Sequence, residues 1–356
     1  MIGARKLDHI RIALAKNVQS NVKSGFEDAA LVHRALPEIN KGEIKLETSF
    51  LGRKIDAPLI IAGMTGGHEK AEVINRNLAL AAQELGIPMG LGSQRAAIED
   101  SRMTYTFSVA REVAPRAFLI ANLGIAQFCR GYDLAEARKA VDMIKADALA
   151  VHLNPLHEAV QSSGDVYFKG CLARLKKLCK LKVPIIAKET GAGVCREDAK
   201  LLEKAGVAAI DVGGLGGTSF AAIEHYRSKG ETLGKTFWDW GIPTAISTVE
   251  CSRYTKLPVI ATGGIRNGID VAKAIALGAS CCGLALPLLD KARKGYKEVV
   301  EELRRIIEEL KTAMFLVGAG SIGELKQVDV VITGRTREWL ELRGVDCREY
   351  ANRRMV

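Results

Sequence analysis

The stretch Leu257–Arg266, LPVIATGGIR, decides how the rest of the chain is organised. Its first six residues are small or apolar and do not alternate with polar ones, the pattern of a strand buried on both faces in a parallel sheet. It then stops abruptly at a glycine pair followed by a basic residue. Seven more runs of this kind flank it: Ala57–Met64, Gly86–Gly92, Ala117–Leu123, Asp147–Leu153, Val183–Glu189, Ala208–Gly213 and Cys281–Leu286. Each is closed by Gly, Asn or a charged residue. Helical patterns lie between them: Val141, Ile144 and Ala148; Ala199, Leu202 and Ala205; Val271, Ala274, Ile275 and Gly278. Strand and helix alternate at spacings of roughly 30 residues, the length of a strand–helix–strand unit. Eight such units predict an α/β fold, a TIM (β/α)8 barrel, rather than a doubly wound open sheet, for which eight runs are many.

Residues 1–54 precede the barrel as an N-terminal extension, the barrel takes 55–325, and 326–356 form a C-terminal extension. From Gly295 a long helix is expected, with Val299, Val300, Leu303, Ile306, Ile307, Leu310 and Met314 on one face. Between the sixth and seventh runs His225–Thr244 is inserted and is rich in aromatic residues, a lid candidate.

The 356 residues are 48% hydrophobic and 26% charged, which excludes disordered and coiled-coil classes. No apolar run is long enough to span a bilayer, and Met1–Lys6 has no apolar stretch behind its charges, so neither a membrane anchor nor a secretory signal is expected. The eight cysteines are scattered without a Cys-x-x-Cys pair, which suits reduced thiols in a cytoplasm and argues against zinc. The net charge of +10 favours an anionic partner. Nucleic acid is not expected: Arg343, Arg348, Arg353 and Arg354 lack aromatic interleaving and any binding motif, and such a run is usually a solvated surface.

In such barrels the chemistry sits where strands end and loops begin. The residues found there are Met64-Thr65-Gly66-Gly67, Ser93-Gln94-Arg95, Asn122, His152, Asn154, His157, Glu158, Lys188-Glu189-Thr190, Gly213–Thr218, Thr262–Arg266 and Ala285-Leu286. One glycine pair is ordinarily a turn. Glycine-rich rims after each of the last strands instead suggest a phosphate cradled by backbone N–H groups. Lys188 ends an apolar strand, where a cation is costly unless it meets an anion or an electron-rich ring. It suits the pyrimidine edge of a reduced flavin. A Schiff-base lysine, or one paired with Glu189 or Asp211, is the competing reading.

Taken together, these residues resemble the type 2, FMN-dependent isopentenyl-diphosphate delta-isomerases over nearly the whole chain. The resemblance rests on Arg5-Lys6-x-x-His9, Gly25–Asp28, Ala62–Gly67, Gly92–Arg95, His152-x-Asn154-Pro155, Lys188-Glu189, Gly216–Thr218, Asp239–Thr244 and Gly263–Arg266. It implies FMN at the barrel mouth, with Gly63, Met64, Thr65, Ser93, Asn122, Lys188 and Thr218 near the ring and ribityl chain. Gly263, Gly264, Arg266, Ala285 and Leu286 would surround the phosphate. It implies that Arg5, Lys6, His9, Ser93, Gln94, Arg95, His152, Asn154 and His157 hold the substrate, and that Glu158 binds Mg2+. The expected reaction interconverts isopentenyl diphosphate and dimethylallyl diphosphate by a 1,3-proton shift, with NADPH only as reductant. A homo-oligomer, tetramer or octamer, is expected.

A diphosphate carries about three negative charges and needs cations plus a hard metal, which Arg5, Lys6, Arg95 and Glu158 supply. Without the family match, Arg5 and Lys6 would read as an ordinary solvated terminus. Trp238 and Trp240 either screen the site from water or simply pack. One departure stands out. Where the family has Asn-Pro-x-Gln-Glu, this chain has Asn154-Pro155-Leu156-His157-Glu158. Histidine can donate, accept and titrate, so His157 is expected as an auxiliary proton carrier in the same isomerase. The alternatives are a divergent FMN barrel enzyme acting on a related prenyl or other phosphorylated substrate, an oxidase or nucleotide-dehydrogenase type of FMN enzyme, and a basic phosphate- or RNA-binding barrel.

Overall fold

The computed structural model describes the backbone of residues 2–228 and 232–354, and the side chains of those from Lys6 onward. The eight apolar runs become eight parallel strands of one closed barrel. They are β1 (Leu59–Ile61), β2 (Met89–Gly90), β3 (Leu119–Gly124), β4 (Ala148–Leu153), β5 (Ile185–Glu189), β6 (Ala209–Asp211), β7 (Val259–Thr262) and β8 (Cys281–Leu284). Neighbours in sequence are neighbours in space, and β8 closes on β1 with Cys282 opposite Leu59. The two-residue side-chain period then sorts each strand. Ile60, Ile120, Ala148, Ala150, Ile186, Ala209, Ile260 and Cys281 form an inner apolar cluster. One step further along the same inward rows stand Asn122, His152, Lys188, Asp211 and Thr262. The barrel is thus filled with hydrocarbon below and lined with polar groups above.

The predicted helices pack outside, with two shifts at their ends. Ala148 belongs to β4 rather than to the preceding helix, which covers Leu134–Met143. Lys145 adopts a positive φ of 46° there, reversing the chain into the strand. Gly278 lies beyond the helix Gly268–Ala276, and its φ of 115° is one that a side chain would strain. The long helix runs Tyr296–Leu316 and buries Val299, Val300, Leu303, Ile306, Leu310 and Met314, while Ile307 is half-buried.

The two extensions are not independent tails. Ala29–Leu31 pairs antiparallel with Val330–Ile332, tying the N-terminal segment to the C-terminal one. The hairpin Thr48–Phe50/Arg53–Ile55 closes the bottom of the barrel, inserting Phe50 against Phe118 at a ring separation of 5.9 Å. The N-terminal helix, Ile2–Ala15, lies at the opposite end, where Ile12 and Ala13 pack with Val18, Phe220, Ile223 and Trp238. Described residues of the inserted segment grip the chain that follows this helix. Asp239 accepts hydrogen bonds from Ser20, Asn21 and Val22, and Trp238 Nε1 donates to Gln19 O at 3.0 Å. Trp240 is 63% exposed. The insertion anchors the chain behind the N-terminal helix. No helix among the described residues is long and apolar enough to cross a membrane.

Because Phe50 is 1% exposed and seals the barrel from below, Phe50→Ala is expected to cost about 3–4 kcal/mol, from lost transfer energy and the cavity left behind. A urea unfolding midpoint unchanged from wild type would show that the hairpin does not support the barrel.

Candidate active site

The polar ends of the strands surround one cavity at the C-terminal mouth of the barrel. Met64 and Thr65 after β1, Ser93 and Arg95 after β2, and Asn122 and His152 from β3 and β4 line one side. Lys188, Gly213, Thr218, Gly263, Gly264 and Arg266 line the other. The N-terminal helix contributes Lys6, His9, Ile10 and Ala13 as a roof. Apart from Arg5, whose side chain lies outside the described residues, and Gln94, every expected site residue borders this space.

Gln94 has another task. It is 0% exposed, its Nε2 donates to Ala140 O at 2.8 Å, and its Oε1 accepts from Asn122 N at 2.9 Å. It clamps the β3 end to the neighbouring helix and does not face the cavity. Sequence placement between Ser93 and Arg95 could not reveal that the turn points its middle side chain inward to the protein.

The cation side is preorganised by carboxylates. Lys6 Nζ donates to the Ser93 carbonyl and sits over the Phe107 ring, 5.2 Å from its centroid. Arg95 is held by Glu99 at 2.7 Å and Asp165 at 3.1 Å. Asp165 also pairs with Arg130, and although burial alone would raise its pKa, these arginines hold it below the usual carboxylate range. The backbone N–H of Asp165 donates to Glu158 Oε2 at 2.7 Å, while Asn154 Nδ2 donates to Glu158 Oε1 at 3.0 Å. Glu158 is 8% exposed, and among the described residues it has no ion-pair partner. A buried carboxylate oriented by neutral donors, beside a cavity lined by Lys6 and Arg95, fits a hard divalent cation that keeps most of its waters.

His152 and Lys188 line the floor. His152 Nδ1 donates to Asn122 Oδ1 at 2.8 Å, leaving Nε2 as an acceptor. Burial first, then the nearby His157, Lys188 and Lys6, pull its pKa down to about 3, so the ring is neutral at ordinary pH. Lys188 Nζ is 2.7 Å from Asp211 Oδ2, which decides between the two candidate carboxylates. Glu189 faces the other way and accepts N–H bonds from Thr190, Gly191 and Ala192.

A further group was not legible in the sequence. Glu224, 1% exposed, lies on the helix Phe220–Arg227. Its Oε1 accepts from His9 Nε2 at 2.9 Å and from His157 Nε2 at 3.1 Å, and its Oε2 pairs with Arg227 at 2.6 Å. Burial alone would raise its pKa, yet the hydrogen bonds from His157 and His9 hold it well below the usual range. His157 therefore joins the N-terminal helix to the β4 loop through one carboxylate. No spacing motif marks Glu224; only the closed barrel brings residues 9, 157 and 224 together.

The cavity also fits a flavin. Thr65 Oγ1, Thr262 Oγ1 and Asn154 Oδ1 are buried without a hydrogen-bond partner, and all three residues line it. The Gly263-Gly264 turn, with φ of 118° and 75°, lies backbone to backbone against the preceding glycine loop. A Cβ at Gly217 would fall 2.6 Å from Gly264 N, and one at Gly264 would fall 2.6 Å from Gly216 O. The close packing of the two loops requires these glycines, and Gly213, Gly214, Gly263 and Gly264 border the cavity.

The chain matches the FMN-dependent dehydrogenase family over residues 11–120 and 159–332. A protein of Methanothermobacter thermautotrophicus named isopentenyl-diphosphate delta-isomerase is 51% identical over 354 residues, spanning 99% of this chain and 100% of its own. One of the same name from Thermococcus kodakarensis is 54% identical over 364 residues, spanning 99% and 97%. Among solved structures, mandelate oxidase with (S)-2-phenylpropionate superposes with a TM-score of 0.64 at 20% identity, covering 92% of this chain and 97% of that one. Mandelate oxidase with benzoyl-formic acid gives 0.62 at 19%, covering 92% and 94%. At that identity the likeness concerns the fold.

The depressed His152 pKa has a stability consequence. Its contribution is complete above the ordinary imidazole value of 6.5 and is lost as pH falls from there toward about 3, because the unfolded chain takes up the proton first. Wild type is therefore expected to lose stability, relative to His152→Gln, by up to about 1 kcal/mol per pH unit between about pH 6 and 4. Parallel urea midpoints for the two proteins over that range would contradict a buried neutral ring.

Proposed function

The chain belongs to the FMN-dependent dehydrogenase family and, inside it, to the isopentenyl-diphosphate delta-isomerases, and we propose that it interconverts isopentenyl diphosphate and dimethylallyl diphosphate with reduced FMN and Mg2+. The observation that carries this reading is a single cavity lined by the glycine cradle, the orphan hydroxyls of Thr65 and Thr262, Lys6, Arg95 and the Glu158 carboxylate, which has no ion-pair partner among the described residues.

Lys6 and Arg95 would neutralise the diphosphate. Arg95 exchanges its carboxylate partners for phosphate oxygens, a bidentate match that suits a guanidinium. Glu158 would hold Mg2+ against the same group, already oriented by Asn154 and Asp165. The five-carbon tail would lie under Ile10, Ala13, Phe220, Ile223, Leu286 and Leu289, which line the cavity. This apolar roof matters because adding a proton to an unactivated alkene builds positive charge on carbon, and any water present would be captured. Reduced FMN, when bound, supplies an electron-rich ring and an acid–base group beside that carbon. His152 offers only its Nε2 lone pair and stays neutral, so it places no competing cation there. His157 stands where the family has glutamine and takes the auxiliary proton-carrying part, its imidazole aligned by Glu224. The double bond moves without net oxidation, so a nicotinamide reductant such as NADPH serves only to bring the flavin to its reduced state.

Purified protein supplied with FMN, Mg2+ and NADPH or dithionite should convert isopentenyl diphosphate, and should do so only after reduction. Conversion at the same rate with oxidised flavin would refute the reading. Glu158→Gln should raise the Mg2+ concentration needed for half-maximal rate by about tenfold or more, as expected when one of few protein ligands loses its charge. His157→Gln should retain turnover, since an amide N–H can also reach Glu224; complete inactivity would make the imidazole indispensable.

A further inference from the structure

Lys188 and Asp211 are register partners at the ends of β5 and β6. Their charged atoms are 2.7 Å apart, and their side chains are 11% and 9% exposed. Asp211 is itself fixed, since its Oδ1 accepts from Gly213 N at 3.2 Å at the start of the glycine loop. Lys188 lines the cavity floor, and Asp211 stands beside it on the neighbouring strand.

The other groups around this pair carry little net charge toward it. His152, opposite Lys188 across the β4–β5 register, is neutral. Asn122 and Thr262, from β3 and β7, bear no charge. Glu189 is turned to the backbone of residues 190–192. On the opposite walls, His157 shares Glu224 with His9 and Arg227, and Lys6 is held at Ser93. The local charge of the floor is therefore set by Lys188 together with Asp211, and it is close to zero.

We propose that Asp211 is a positioning and charge-balancing residue: it aims Lys188 at the flavin while weakening the lysine's field, so that the floor favours a flavin that keeps its proton over one that accumulates negative charge. This rests on FMN binding at the mouth, and not on the identity of the prenyl substrate. A lone buried cation beside an isoalloxazine stabilises every anionic form of the ring. A close ion pair does so far less, because the two fields oppose each other beyond a few ångströms. A barrel that moves electrons profits from the lone cation. A barrel that moves only protons does not.

Sulfite tests this without turnover. Its sulfur lone pair adds to flavin N5, no group leaves, and the added negative charge spreads over the pyrimidine edge, so its affinity measures the positive field there. The oxidised holoenzyme would be titrated with sulfite while bleaching of the visible flavin band is followed, and its midpoint potential measured beside it. Asp211→Asn should bind sulfite about tenfold more tightly than wild type, with a potential shifted positive, because an isolated charge replaces a neutral pair. Lys188→Met, which leaves the carboxylate alone, should bind sulfite about tenfold more weakly. The double variant should fall between them. A merely structural Asp211 would release FMN without tightening sulfite. Asp211→Asn that retains FMN with unchanged or weaker sulfite affinity overturns the proposal. Should that variant not fold, sulfite affinity in Lys188→Met equal to wild type overturns it as well. A wild-type protein that takes up no FMN would instead overturn the flavin reading beneath it.

Discussion

A closed barrel of parallel strands allows inward side chains only a narrow shared interior, and this constraint governs everything at the mouth. The lower rows are filled by Ile60, Ile120, Ala150, Ile186 and Ile260 and are stoppered by Phe50. With no water reaching them from below, the upper rows must satisfy their polar groups sideways or upward. His152 does so with Asn122, and Lys188 with Asp211. Thr65, Thr262 and Asn154 keep atoms with no protein partner. The ligand's place follows from that difference. Where neighbouring strands can pair their polar ends they form the floor, and where they cannot, the unsatisfied atoms of Thr65, Thr262 and Asn154 belong to residues that line the cavity.

The N-terminal segment is structural and functional at once. Its helix roofs the mouth, its short strand pairs with the C-terminal extension, and its hairpin seals the base. Glu224 makes the roof dependent on the barrel, because one carboxylate oxygen holds both His9 of the helix and His157 of the β4 loop. Whatever moves His9 away takes one partner from Glu224, which His157 and Arg227 still hold. Docking of the cationic helix and alignment of His157 thus share one carboxylate. The aromatic insertion serves it indirectly by gripping residues 19–22 through Asp239 and Trp238.

The strands were legible because burial on both faces leaves an unmistakable unbroken apolar run, and the residue following each run fell at the mouth for geometric reasons alone. Lys188 was legible as an anomaly: a cation closing an apolar strand. Its partner was not, since Glu189 and Asp211 are equally near in sequence terms, and only the β5–β6 register separates them. Gln94 was misplaced by the same limit, because motif membership says that a residue matters and not which way it points. Glu224 and Asp165 left no signal. Their partners lie 67 and 70 residues away in sequence, and their roles exist only once the barrel has closed. Helix ends failed at Lys145 and Gly278 because backbone reversals, not hydrophobic spacing, terminate those elements.

The same fold serves oxidases at 19–20% identity, so architecture does not choose between moving electrons and moving protons. The choice has to be made by charge at a few positions. In this chain the floor lysine is ion-paired, the floor histidine is neutral, and Arg95 and Glu224 are held by ion pairs. On the proposed reading such a site would gather its positive field at the diphosphate end and keep the end under the hydrocarbon nearly uncharged. That separation suits a transition state whose developing charge is positive and located on carbon. A cation beneath it would oppose the reaction, whereas an electron-rich ring resting on a neutral floor would not.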